Sequence, residues 1–454
     1  MKEKIFISLV SYLLLLGTTQ AQVQFNSITL KEALEKAKSR DKIVLVYLEP
    51  ADCNECNDVA MQGFSNPAFA RSVNDNCVPI KIKAGSKEFN LFDSLYSHGS
   101  SYGTLYINSD GELLHKFAGT TSFNITNMEQ LDKALNRKEH PDTEYIQLRN
   151  DYNAGKRDFV SLYKLVAKKN ELDQEHDLLT EEMLNLAPKD SATSLSFIEF
   201  IAQQAPMIDS KAFQYMRKDG RNYNDAWYLM PQQKRVMINN KINYKSKRKA
   251  IKDKDSVYAE HIAAYAAGTY TDKMQARKSH DRNMIDFYKG IKDTARYLSA
   301  SINYYDRFLM TVSVDSVQRA DSMRQKELVS QSIPEKVPQS AGGPLMRSSI
   351  RFAPSTQYFS GELNDGAFSI YTYTHDPLYN AKALVWAKRA TEFYDSPPVM
   401  DTYARLLYRT GNKEEAIAWQ EKAFNLSKER KMPANAYEEI LNKMKAGEAA
   451  IDKY

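Results

Sequence analysis

The chain has 454 residues, more than one hydrophobic core usually serves, so two or three domains are expected and none needs a metal or disulfide staple. Its 62 Lys and Arg stand against 57 Asp and Glu for a net charge of +5, a mixed balance that excludes a broad nucleic-acid footprint. Three cysteines, Cys53, Cys56 and Cys77, are too few for a disulfide scaffold.

In chain order, Lys2 and Lys4 precede a short apolar stretch, Ile5 to Gly17, and Thr19-Gln20-Ala21 ends in a small residue. This pattern predicts a signal peptide, residues 1–21, cleaved after Ala21, because the apolar stretch is shorter than the roughly 18 residues a spanning helix needs. The mature chain, with no transmembrane segment, is then expected in the periplasm or cell envelope.

Thr29 and Glu32 have the spacing of a capping box, and Leu30, Ala33, Leu34 and Ala37 share one helical face. The run Ile43 to Leu48 is continuously apolar, as in a strand covered on both faces, and it ends at Glu49-Pro50 just before Cys53. Asn66-Pro67 supplies an N-cap and a first-turn proline for a helix through Phe69 and Val73, while Val78, Ile80 and Ile82 alternate as a second strand. Asn108-Ser109-Asp110-Gly111 separates two strands, Thr104 to Ile107 and Glu112 to Phe117, as a hairpin. Asn127 with Gln130 predicts the cap of a last helix carrying Leu131 and Leu135. The sum is an α/β domain, a mixed sheet covered by helices, over residues 22–138.

From about Pro141 the spacing becomes helical, with apolar residues three and four apart in Leu162 to Val166, Leu178 to Leu186 and Phe197 to Ala202. Residues 139–331 are expected to be all-α. The basic run Lys245, Lys247, Arg248, Lys249, Lys252 reads as a solvated helix face. Prolines and glycines between Ser332 and Ser355 predict a linker. In 356–454, Tyr403, Ala404, Leu407, Gly411, Ala416, Trp419, Ala423 and Phe424 have the large and small spacing of a tetratricopeptide helix pair, with Gly411 at its turn.

A disulfide exchanger needs two thiols that can close a small ring, one of them ionisable. Cys53 and Cys56 have that spacing, and a helix beginning at them would set its positive end beside Cys53. Cys53 is the expected nucleophile and Cys56 the resolving thiol. No metal site or cofactor is expected, since only Cys77 or His98 could join the pair as ligands. The remaining histidines have no paired spacing.

With its apolar strand, Cys53-Asn54-Glu55-Cys56 motif and hairpin from Thr104, the stretch from 22 to about 138 resembles the thioredoxin-like domains of exported Bacteroidota proteins. The rest is similar to the tetratricopeptide-containing extension fused to such domains. The resemblance implies thiol-disulfide exchange with protein substrates, and it makes Gly103 and Thr104 the loop that faces them. Three residues depart from the family pattern. Gly103 stands in place of the cis-proline, Tyr47 in place of the buried acid, and Asp52 in place of the tryptophan before the pair. Asp52, Glu55, Glu49 and Asp58 surround the thiols with negative charge that opposes the helix dipole. A redox-inactive interaction scaffold on a degenerate thioredoxin domain is the alternative.

Overall fold

The computed structural model describes residues 22–50, 54–96, 102–331, 354–430, 432 and 434–448. The expected signal peptide lies outside the described residues. The chain divides into two compact units, 1–246 and 247–454.

Unit 1 begins with α1 (Leu30–Ser39), whose capping box forms as the spacing predicts: the Thr29 side chain accepts from the Glu32 amide, and Glu32 reaches back to the Thr29 amide. Strand β1 (Ile43–Glu49) follows, then α2 (Asn54–Phe64), α3 (Pro67–Asn76), β2 (Cys77–Lys83), α4 (Lys87–Tyr96), the hairpin strands β3 (Gly103–Ile107) and β4 (Leu113–Phe117), and α5 (Asn124–Glu139). The sheet order is β2-β1-β3-β4. β1 runs parallel to β2 and antiparallel to β3, and β3 to β4, so the sheet is mixed.

The unbroken apolar run of β1 has a direct cause: both faces are covered. Ile43, Leu45 and Tyr47 pack with Phe64 of α2, Phe69 and Val73 of α3 and Leu131 of α5. Val44, Val46 and Leu48 face the other way, onto Ala33 and Ala37 of α1 and Phe92 of α4. Two expectations are corrected. α4 was not foreseen, and α5 starts at Asn124 rather than on a cap at Asn127. Asn127 and Gln130 are buried inside α5, where Asn127 donates to the Thr121 carbonyl and Gln130 meets His115 at 2.7 Å.

The unit continues in helices only: α6 (Thr143–Asn153), α7 (Phe159–Glu171), α8 (Asp177–Asn185), α9 (Leu195–Gln203), α10 (Lys211–Met216), α11 (Gly220–Leu229) and α12 (Gln232–Asp253), in which the division between units falls. α6, α7 and α11 open on the aspartates Asp142, Asp158 and Asp219, whose carboxylates accept amides of the first turn. Charge joins these helices to the sheet. Lys116 of β4 and Lys241 of α12 each lie 2.7 Å from Asp173, and Arg149 of α6 pairs with Glu112 at the hairpin.

Unit 2 is all-α: α13 (Ser256–Ala267), α14 (Lys273–Gly290), α15 (Thr294–Phe308), α16 (Val314–Gln331), α17 (Ser355–Tyr373), α18 (Pro377–Phe393), α19 (Pro397–Arg409), α20 (Lys413–Glu429) and α21 (Asn435–Lys445). One core runs from Ile285 and Tyr297 through Trp386 and Tyr403 to Met444. Ala404, Leu407, Ala416 and Ala423, the small and apolar positions of the expected helix pair, are buried there, and Gly411 makes the α19–α20 turn at φ +94°, a conformation that favours glycine. Of the expected linker, residues 332–353 lie outside the described residues. The helices on either side of it share the core, and Asp321 of α16 accepts the Ser355 and Thr356 amides at the start of α17 at 2.9 and 2.8 Å.

Of the basic run only Lys252 is exposed, so most of it is not a solvated face. Lys245 pairs with Asp177 within unit 1, both mostly buried, while within unit 2 Lys247 pairs with Asp286 at 2.6 Å and Lys249 lies over the Tyr258 ring. These cations find partners on neighbouring helices. Among the described residues no helix is long and apolar enough to cross a membrane.

Candidate active site

Cys56 lies in the first turn of α2, directly beyond the end of β1, and is half-buried and disulfide-bonded. Its environment follows from the strand-to-helix turn, which sets it near the positive end of the helix dipole. Cys53, the expected nucleophile, and Asp52 lie outside the described residues, as does His98. Cys77 starts β2, is free and buried, and desolvation pushes its thiol up to about 12, Lys42 and Lys138 opposing only in part. A thiol held protonated in that way packs as a small apolar group.

Tyr47 occupies the place of the family's acid. It is 1% exposed, wedged between Phe25 and Phe64, with the Phe64 ring edge-on at 5.1 Å. Its hydroxyl donates to Asn57 Oδ1 at 2.8 Å. Desolvation, with Glu49 nearby, raises its pKa far above the usual tyrosine range, so the group stays a neutral donor. The Asn57 amide in turn donates to the Pro50 carbonyl at 3.3 Å. One side chain thus ties the buried strand, the strand's exit and the cysteine-bearing turn together. Sequence reasoning missed Asn57, since only the fold brings it to Tyr47.

Gly103 and Thr104, expected to face substrate, are both buried; Gly103 is opposite Leu48, and Thr104 opposite Tyr47, in the β1–β3 ladder. Gly103 has φ +133°, and a Cβ there would lie 2.3 Å from the Phe117 carbonyl oxygen. Proline, fixed near φ −65°, cannot take that conformation, which accounts for the departure from the family pattern. Thr104 lines, with Tyr47, Phe117, Thr121 and Asn127, a cavity of about 10 Å³. That is room for about one water.

The acidic surroundings are partly described. Glu49 ends β1 and Asp58 follows Asn57 on α2, where desolvation raises its carboxyl and so disfavours its charge. Among the described residues no group of three or more His, Cys, Asp or Glu is arranged to hold a metal ion.

Residues 8–100 match the family model described as Thioredox_DsbH, a protein of unknown function, DUF255. No curated protein and no solved structure matches the chain. The family match, the sheet order and the helix that carries Cys56 after the buried strand β1 agree: the N-terminal α/β domain of this chain is thioredoxin-like, and a mostly helical region follows it.

Proposed function

We propose that the chain is an exported thiol-disulfide oxidoreductase that acts on protein cysteines through Cys53 and Cys56, with its helical region, tetratricopeptide-like toward the C-terminus, binding substrate or partner proteins. The observation that carries this reading is the disulfide at Cys56, in the first turn of the helix that leaves the central strand of a thioredoxin-like sheet. Of the three cysteines Cys77 is free, so Cys53 is proposed as the partner.

In the reductive direction the Cys53 thiolate attacks one sulfur of a substrate disulfide, and the departing substrate thiolate takes up a proton. The Cys56 thiolate then attacks the Cys53 sulfur of the mixed disulfide and releases the second substrate thiol. Two electrons pass from the pair to the substrate, and a donor dithiol or small thiol restores the pair. Oxidation of a substrate dithiol is the same sequence reversed. The helix dipole favours the thiolate, and Glu49 and Asp58 oppose it.

Insulin reduction by the full mature chain tests this, with loss of activity expected in Cys53→Ser; unchanged activity in that variant would overturn it. Tyr47 favours the second reading, a redox-inactive scaffold, because its hydroxyl is committed to Asn57 where the family has an acid. Partners trapped as mixed disulfides by Cys56→Ser support the enzyme. Partners retained by the double cysteine variant support the scaffold.

A further inference from the structure

We propose that the open cleft between α7 and α9 docks an arginine side chain of a partner polypeptide, its stem and guanidinium plane laid on the rings of Phe159, Tyr163 and Phe197 and its charge met by Asp190. The proposal rests on the reading above that the helical region binds proteins, gives the chemistry of one such contact, and does not depend on the cysteine pair.

Three observations carry it. α7 presents Phe159 and Tyr163 one turn apart, and α9 presents Phe197 and Phe200 in the same way. Tyr163 stacks on Phe200 at 4.0 Å and Phe159 lies 5.8 Å from Phe197, so the four rings form one aromatic wall. Phe197 is buried, whereas Phe159 and Tyr163 keep part of their surface open. The space that this wall lines measures about 410 Å³, within the range of sites that hold small ligands and single side chains. Asp190 is the one charged residue lining it, it is exposed, and among the described residues no ion pair takes up its carboxylate.

An aromatic wall beside a lone carboxylate selects its occupant. Ring faces are negative and attract a cation, and Asp190 adds to that attraction. An acidic side chain meets repulsion there, and a purely apolar one desolvates Asp190 without pairing it. Arginine fits better than lysine because its plane stacks on a ring while its forked N–H groups reach a carboxylate. The Ser194 and Ser196 hydroxyls, 3.1 Å apart in the same lining, offer it further acceptors. The cleft is open to water, which screens the charge, so this contact supplies selectivity more than affinity.

The test is saturation-transfer NMR of the full chain with two peptides, Gly-Ser-Leu-Arg-Gly-Ser and the same sequence carrying citrulline, which keeps the shape of arginine and lacks its charge. The arginine peptide is expected to bind about tenfold more tightly, with transfer strongest at its arginine methylenes. Asp190→Asn, at an exposed position, is expected to bring the two peptides within about twofold of each other. Val160→Lys, at a lining residue that is 61% exposed, gives Asp190 a cation from the chain itself and is expected to weaken the arginine peptide alone. Equal affinity for the two peptides in the wild type, a preference that survives Asp190→Asn, or no saturable binding of the arginine peptide overturns the proposal. Insulin reduction reports on the redox reading separately, so that reading stands or falls on its own. N-acetyl-arginine amide bound as tightly as the peptide assigns the cleft to a small basic ligand and overturns the polypeptide assignment.

Discussion

Where the helices of unit 1 meet β4 the joint is ionic, and where the helices of unit 2 meet one another it is aromatic. Lys116, with 8% of its side chain exposed, depends on Asp173, which Lys241 also holds. Trp386, fully buried, lies 4.7 Å from the Tyr305 ring and gives its one polar hydrogen to Asp306 at 2.9 Å. A buried cation stripped of its partner costs more than the pair contributes, whereas an apolar joint loses in proportion to the volume removed. The Lys116–Asp173 joint of unit 1 is therefore charge-sensitive and the Trp386 joint of unit 2 volume-sensitive.

The largest expected effect is on the aromatic joint. Trp386→Ala should cost about 3–5 kcal/mol, read as a fall in the denaturation midpoint of unit 2, because nothing nearby can fill the space of an indole. A loss under about 1 kcal/mol would show that this core collapses readily and would erase the contrast.

Acid comes next, and it should strike unit 1. His176 is buried at the start of α8, with Nδ1 2.7 Å from the Gln174 carbonyl oxygen. Desolvation, aided by Lys245 and Lys241 and opposed by that hydrogen bond and Glu175, lowers its pKa to about 4. The unfolded chain, with a histidine pKa of about 6.5, binds the proton first as pH falls. Stability from this residue is thus complete above pH 6.5 and drains away toward pH 4, by about 3 kcal/mol. Urea midpoints at pH 7 and pH 4 should lie closer together in His176→Gln than in the wild type; an equal gap in the two would remove histidine from the account.

Asp173→Ala should cost unit 1 about 2 kcal/mol, less than a fully buried pair because Asp173 is a third exposed and water reaches it. A second change, Lys116→Met, should restore much of that loss, since it removes the buried cation that Asp173 offsets. No recovery in the double variant would mean that the joint is held by packing and not by charge. Smallest is Thr29→Ala, about 1 kcal/mol for a cap on a helix that touches neither joint.

Every residue of α19 except Pro398 and Arg409 is buried, and Tyr408 donates to the Glu448 carbonyl at 2.9 Å. A repeat helix that offers a groove keeps one face open. α19 has none to offer.

The sheet was legible because its signals are local. β1 shows its double burial as six apolar residues in a row, and the hairpin shows its turn in Asn108 to Gly111. α4 was not, since its apolar face is short and lies among polar residues that read as loop. Asn127 and Gln130 imitate a cap by spacing alone, but inside α5 they satisfy Thr121 and His115, which only the folded chain brings near. In the same way Tyr47 reads as a missing acid, and its meaning as a donor appears only with Asn57 beside it. The basic run of α12 shows no partners because Asp177 and Asp286 are remote in sequence.

The reduction potential of the proposed Cys53–Cys56 pair in the full chain, from glutathione titration with thiol trapping, is the most direct test of the central proposal. An exchanger should titrate at a potential above about −300 mV, in the range where thioredoxins and disulfide isomerases work. A disulfide that stays closed below about −300 mV would be an inert crosslink, and the enzyme reading would be wrong.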